Sequence, residues 1–285
     1  MKNMNEHNIT AGVLATFAGC ENPRLREIMS SLVSHLHDFV RETRLTEAEW
    51  LEGIKFLTAT GQKCDDKRQE FILLSDTLGI SMLNIAINNA KPAGATEATV
   101  FGPFHLEDAP RYELGADIAN GAKGEKLRVE AIVKGLDGKL IAGAEVDVWQ
   151  VDEDGMYDAQ YADLGHTQAR GVLRTDREGR VYFDTVMPVS YPIPTDGPVG
   201  RMLVALGRHP WRPAHVHFMV KAPGYEHLIT HVFVAGDSYI ESDAVFGVRS
   251  SLISKFEHLD KVGKDQPAGA AKHRLTFEFV LNPIP

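Results

Sequence analysis

Apolar positions divide the chain into two stretches of different period. Between residues 24 and 90, Leu25, Ile28, Leu32, Leu36, Phe39 and Val40 recur at three- and four-residue steps, which places one apolar stripe on a helix. Thr46 followed by Glu49 forms a capping-box pattern and opens a second helix carrying Trp50, Ile54 and Leu57. Gly61 is expected to stop it. A third helix is expected to start near Asp65 and Asp66, whose charges suit a helix N-terminus, and to run through Phe71, Leu74 and Leu78. Pro92 and Gly94 then punctuate the chain.

Farther on, the period shortens. Runs rich in Val, Phe and Tyr appear at Leu127 to Val133, Ala144 to Gln150, Arg180 to Phe183, His215 to Val220, Ile229 to Val234 and Arg274 to Val280. Gly, Pro and Asp clusters separate them, as in a sandwich of antiparallel sheets. The expected fold is mainly β: an antiparallel β-sandwich over residues 96–285 preceded by an α-helical module over residues 1–95.

Composition narrows the function classes. The 285 residues are 44% apolar and 24% charged, an ordinary globular profile that can bury a core without metal or disulfide staples. A bound metal would therefore serve chemistry rather than folding. The net charge is -9 and no basic block could follow a phosphate backbone, so nucleic acid is not an expected partner. Cys20 and Cys64 are too few for a disulfide framework, which fits reduced thiols in a cytoplasm. No run approaches the ~20 apolar residues of a membrane span, and no apolar leader with a cleavage site is expected.

Candidate chemistry centres on His215 and His217 in Arg-Pro-Ala-His-Val-His-Phe. Strand alternation sends both imidazoles to one face, where two neutral rings make a pair of metal ligands. Two satisfied polar residues inside a sandwich would give the same pattern. Val216, Phe218 and Val220 make the opposite face apolar, and Met219 adds bulk on the histidine side, so both faces are expected to be buried. Buried imidazoles need partners, and a metal supplies them. The nearest downstream acid, Glu226, lies beyond Pro223 and Gly224, so the carboxylate of a two-histidine, one-carboxylate Fe(II) site is not evident. Tyr157, in Asp-Gly-Met-Tyr-Asp, and Tyr191, in a proline-stiffened loop, are further candidates.

Three segments now combine. Gly-Ala-Glu-Val-Asp-Val-Trp-Gln through Gly-Met-Tyr-Asp, the loop Tyr-Pro-Ile-Pro-Thr-Asp-Gly-Pro-Val-Gly, and Arg-Pro-Ala-His-Val-His-Phe closely resemble the intradiol ring-cleavage dioxygenases. The N-terminal helices resemble those of the catechol and hydroxyquinol branch. The resemblance implies that Tyr157, Tyr191, His215 and His217 bind one Fe(III) per subunit, and anionic phenolate suits so hard a cation. It also implies that a diol binds as a chelating dianion, giving one proton to a bound hydroxide and one to the departing Tyr191, and that an oxygen atom of O2 is inserted between the hydroxyl-bearing carbons before the anhydride is hydrolysed. Arg212, which could be a surface charge on a strand edge, is by resemblance a cation over the substrate ring.

The implied substrate pocket comprises Leu73, Asp76, Val100, Phe101, Gly102, Pro103, Phe104, Ile193, Pro194, Arg212 and Val245. Asp76 lies on the Leu73 face of its helix and is the expected acceptor for a third substrate hydroxyl. The Phe-Ile-Leu-Leu-Ser-Asp and Thr-Val-Phe-Gly-Pro-Phe segments resemble hydroxyquinol enzymes more than catechol enzymes. The expected reaction converts hydroxyquinol and O2 to 3-hydroxy-cis,cis-muconate, which tautomerises to maleylacetate. Catechol or chlorocatechol is the alternative substrate. His231 stands where catechol enzymes usually carry glutamine, and its role is open.

Other classes remain at this point. Leu-Ile-Ala-Gly-Ala-Glu-Val-Asp-Val-Trp also resembles prealbumin-like binding modules, and a histidine pair can serve a zinc hydrolase, although phenolates are unusual zinc ligands. The helical stripe is either private core or, as the resemblance implies, the face of a homodimer whose seam has room for a lipid.

Overall fold

The computed structural model describes residues 2–65, 68–259 and 270–284. The chain divides into two compact units, Met1–Ala59 and Thr60–Pro285.

The first unit contains helices α1 (Ile9–Ala15) and α2 (Pro23–Thr43) and most of α3 (Glu47–Gln62). The Asn22 side chain caps α2 by accepting from the Leu25 amide at 3.0 Å, with Pro23 in the first turn, where its missing N–H costs nothing. The capping box at α3 forms: the Thr46 amide donates to the Glu49 carboxylate at 2.9 Å, and the Glu49 amide donates to the Thr46 hydroxyl at 3.3 Å. Gly61 lies inside the last turn of α3 instead of ending it, because the helix closes one residue later. Leu25, Ile28, Leu32, Leu36, Phe39 and Val40 are all exposed in the single chain.

In the second unit, α4 (Glu70–Thr77) and α5 (Ile80–Asn88) are separated at Gly79, whose φ of 75° breaks the helical path. The third helix thus begins later than the acidic pair predicts. Asp65 accepts from the Arg68 amide at 2.7 Å in a turn before the helix, and Asp66 lies outside the described residues. Among the described residues no single helix is long and apolar enough to cross a membrane.

The strands are β1 (Lys126–Gly135), β2 (Glu145–Trp149), β3 (Arg170–Arg174), β4 (Arg180–Val186), β5 (Tyr191–Pro192), β6 (Trp211–Arg212), β7 (His215–Lys221), β8 (Leu228–Val234), β9 (Ile253–Ser254), β10 (Glu257–His258) and β11 (His273–Leu281), with helix α6 (Pro198–Ala205) between β5 and β6. One sheet runs β10-β11-β1-β4 and the other β3-β2-β7-β8-β9. Val129, Phe183, Leu275 and Phe279 from the first meet Val146, Val216, Phe218 and Val232 from the second in a single buried core. Pairing is antiparallel except for β1 with β11 and β8 with β9, which run parallel. Because Val216, Phe218 and Val220 fill this core, His215, His217 and Met219 must face the other side of the sheet. Between β5 and β6 the expected stiff loop contains α6, begun by Pro198 at a position that favours proline.

Candidate metal centre

Register fixes the middle of the site. Within the central sheet, His217 lies opposite Trp149 of β2 on one side and His231 of β8 on the other. The Trp149 ring stacks on His217, with centroids 4.7 Å apart and planes at 19°. The short ribbon of β5 and β6 places Tyr191 directly opposite Arg212. Tyr157 arrives from the turn after β2, where Gly155 has a φ of 74° and a Cβ would stand 3.1 Å from the Tyr191 Cβ. A glycine is required at this close approach.

Four donor atoms converge. Tyr157 Oη is 2.8 Å from His217 Nε2 and 2.9 Å from Tyr191 Oη; His215 Nε2 is 3.1 Å from His217 Nε2 and 3.4 Å from Tyr191 Oη. All four side chains are buried. His215 Nδ1 donates to the Pro213 carbonyl at 2.7 Å, which leaves its Nε2 as a bare lone pair aimed at the cluster. Burial and then the Arg212 charge hold His215 down to about 3, and burial and then His215 hold His217 well below the ordinary histidine value. Both rings are therefore neutral near pH 7. Burial pushes both phenols up, and for Tyr157 the neighbouring Tyr191 adds to the effect. A cation among these oxygens reverses that penalty, since coordination removes the phenol proton. Donors each ~2 Å from one ion stand ~3 Å from one another, which is the spacing present here. The donor set fits a metal ion. His215, His217 and His231 also offer nitrogen atoms within 4.8 Å of one another, and the buried Nε2 of His231 has no hydrogen-bond partner.

Arg212 is buried beside the cluster, with Nη1 3.3 Å from His215 Nε2 and 3.5 Å from Tyr191 Oη. It is not a surface charge. A cavity of about 410 Å³ nearby is lined by Asp76, Val100, Phe101 and Gly102, together with Ser75, Ser81, Asn84 and neighbouring isoleucines. Leu73, Val100, Ile193 and Val245 pack in one buried cluster. Phe104 stacks on Tyr157 at 4.6 Å. Of the remaining pocket candidates, Pro103 is exposed and Pro194 half-buried. Burial raises Asp76 above the usual carboxylate value, whereas a hydrogen bond from Ser81 and the Arg212 charge oppose the rise.

A family model described as "Dioxygenase" matches residues 100–283, and one described as "Catechol dioxygenase N terminus" matches residues 22–96. The chain belongs to the intradiol ring-cleavage dioxygenases. It is 59% identical over 283 residues to the 6-chlorohydroxyquinol 1,2-dioxygenase of Cupriavidus pinatubonensis, covering 99% of each chain. It is 52% identical to the hydroxyquinol 1,2-dioxygenase of Corynebacterium glutamicum, over 98% of this chain and 94% of that protein. A crystal structure of hydroxyquinol 1,2-dioxygenase from Pseudomonas putida superposes with a TM-score of 0.90 at 49% identity, covering 98% of this chain and 99% of that one.

The dioxygenase contains site residues that sequence reasoning missed. Asp243 accepts from Arg212 Nε at 3.0 Å and Nη2 at 3.2 Å, and from the amides of Val245 and Gly247. Its only signal in the sequence is an acid beside the apolar run Ala244 to Phe246. Arg170, which carries no motif, is buried behind Tyr157 against Asp158, the last residue of the Gly-Met-Tyr-Asp segment, to which sequence reasoning gave no role. Gly102, already among the pocket candidates, is in the left-handed region at φ 77°, and a Cβ there would lie 3.1 Å from the His217 ring.

Proposed function

We propose that this dioxygenase holds one Fe(III) per subunit on Tyr157, Tyr191, His215 and His217 and cleaves hydroxyquinol between its adjacent hydroxyls with O2. The product is 3-hydroxy-cis,cis-muconate, which tautomerises to maleylacetate. The observation that carries this reading is the meeting of two phenol oxygens and two imidazole nitrogens at one buried point, 2.8–3.4 Å apart. The names of the Cupriavidus, Corynebacterium and Pseudomonas relatives support the choice of substrate.

When bound, ferric iron supplies a Lewis-acid template and a sink for substrate electron density. The side chains do the rest. Tyr191, ionised where it would hold the metal, would accept a proton from a substrate hydroxyl at its Oη. Arg212, a permanent cation within reach of Tyr191 Oη, stabilises negative charge on the substrate. Asp76, on the cavity wall, accepts from the third hydroxyl of hydroxyquinol. Leu73, Val100, Ile193 and Val245 form an apolar wall that keeps water from the ring.

Residues 1–95 are assigned to a helical module that mediates subunit pairing, with its α4 also lending Leu73 and Asp76 to the pocket, and residues 96–285 to the β-sandwich; the two family models, which end at 96 and begin at 100, support the division. The exposed stripe of α2 supports a homodimer and offers a lipid an apolar seat at its seam. Cytoplasmic placement agrees with the unpaired Cys20 and Cys64.

Metal analysis and an anaerobic spectrum, with and without hydroxyquinol, test the assignment. Stoichiometric iron and a phenolate-to-iron band that changes on adding substrate are expected. Full activity in iron-free protein would overturn the reading; faster turnover of catechol than of hydroxyquinol would overturn only the substrate.

A further inference from the structure

Tyr157 sits in a turn, so no strand ladder aims its ring. Arg170 provides a rigid support behind it. Arg170 lies on β3 opposite Trp149 and is 1% exposed, one of the largest fully buried side chains among the described residues. Its Nε donates to Asp158 Oδ2 at 2.7 Å, and its Nη2 donates to Asp158 Oδ1 and, at 3.0 Å, to the Phe104 carbonyl. Asp158 directly follows Tyr157, and its carboxylate also accepts from the amides of Ala159 at 2.8 Å and Gln168 at 3.1 Å. Phe104 in turn lays its ring on the Tyr157 ring, with planes 22° apart.

One planar guanidinium therefore grips both the side-chain carboxylate of the residue just after Tyr157 and the backbone carbonyl of the residue whose ring covers it. The fork shape matters, because a lysine ammonium cannot span both carboxylate oxygens and a carbonyl in one plane. A buried ion pair is a poor device for stability, since two desolvated charges gain little over apolar packing. It is a good device for geometry. Groups behind metal ligands commonly fix ligand direction in this way.

We propose that Arg170, through Asp158 and Phe104, is the positioning residue for Tyr157 and sets the direction from which its phenol oxygen meets the metal. The inference rests on the reading of Tyr157 as a metal ligand. Arg170→Lys and the charge-neutral double variant Arg170→Met/Asp158→Asn test it in the metal-loaded protein. The readouts are the rate of metal loss to a chelator, the phenolate-to-metal absorption band, and kcat and KM measured separately. Metal loss is expected to quicken about tenfold or more and kcat to fall about tenfold to a hundredfold, with a shifted band and a KM that moves far less. Arg170→Lys should lie between wild type and the double variant, and it decides the matter if the double variant does not fold. A band and a metal-loss rate equal to wild type in the folded variants overturn the proposal. Tyr157→Phe separates the two levels: if it leaves band and metal retention unchanged, the ligand assignment itself falls and takes this inference with it.

Discussion

Arg212 and Asp243 form a two-point ion pair that is almost completely buried, Nε to Oδ1 at 3.0 Å and Nη2 to Oδ2 at 3.2 Å. Burial alone would raise the Asp243 carboxyl, but the Arg212 charge and its hydrogen bonds more than offset this and hold it below the usual range. Nη1 is left free to face Tyr191 and His215. Asp243→Asn keeps the shape and removes the charge that holds the guanidinium. Its kcat is expected to fall about a hundredfold, as misplacement near reacting atoms commonly costs. Metal content should stay near wild type. Steady-state kinetics with metal analysis checks this, and wild-type kcat would show that Arg212 needs no such support.

Both tyrosines should contribute to the colour. Tyr157→Phe and Tyr191→Phe each remove one phenol oxygen from the donor cluster, and with iron held as proposed each is expected to weaken the wine-red phenolate-to-iron absorption. The double variant should bind iron poorly and be colourless. Iron retained at full occupancy in the double variant would refute the donor assignment.

Asp76→Ala is expected to lower kcat/KM for hydroxyquinol about tenfold to a hundredfold, since the third hydroxyl then loses its carboxylate acceptor on the cavity wall. Turnover of catechol, which has no third hydroxyl, should change little. Parallel assays of both substrates decide it, because equal losses would mean that Asp76 supports the fold rather than reading the substrate.

Gly102→Ala places a Cβ 3.1 Å from the His217 ring, at a φ of 77° that side chains rarely adopt. Strain of this kind costs on the order of 1 kcal/mol or more. The variant should melt earlier and lose metal faster. Calorimetry and chelator competition measure the two effects, and a variant that matches wild type in both would mean that the loop moves aside freely.

An acid-dependent contribution lies away from the site. Lys63 and then Arg68 hold Asp196 down to about 2, at 2.9 Å and 2.7 Å respectively. A carboxyl lowered on folding stabilises the protein at pH values above its unfolded pKa of ~3.9, and that contribution fades as pH falls toward the folded value. Wild type should therefore melt above Asp196→Asn at pH 6, with the gap closing between about pH 4 and pH 2. A gap that is constant with pH would exclude the linkage. The pair is largely exposed, so the gap should be small.

Some of this was legible along the chain because it depends on local period. Alternation in the His215 run is a property of any strand, and it sends both imidazoles one way whatever the strand packs against. The α2 stripe and the Thr46–Glu49 box are equally local, each closing within a few residues. The amphipathic stripe did not show whether α2 faces its own chain or another, since both give the same pattern.

What lay beyond the sequence involves partners far apart in it. Asp243 meets Arg212 across 31 residues and Arg170 meets Phe104 across 66. No spacing announces such pairs, because intervening loops can take many lengths without altering the contact. The break at Gly79 and the helix inside the β5–β6 connection were hidden for a different reason: short helices draw their stability from tertiary packing more than from their own residues. By itself, the sequence determined which residue types were available and which way neighbouring side chains alternate. Only the tertiary structure decided which of them share one buried point, because hydrogen bonds, desolvation and charge act through space and not along the chain.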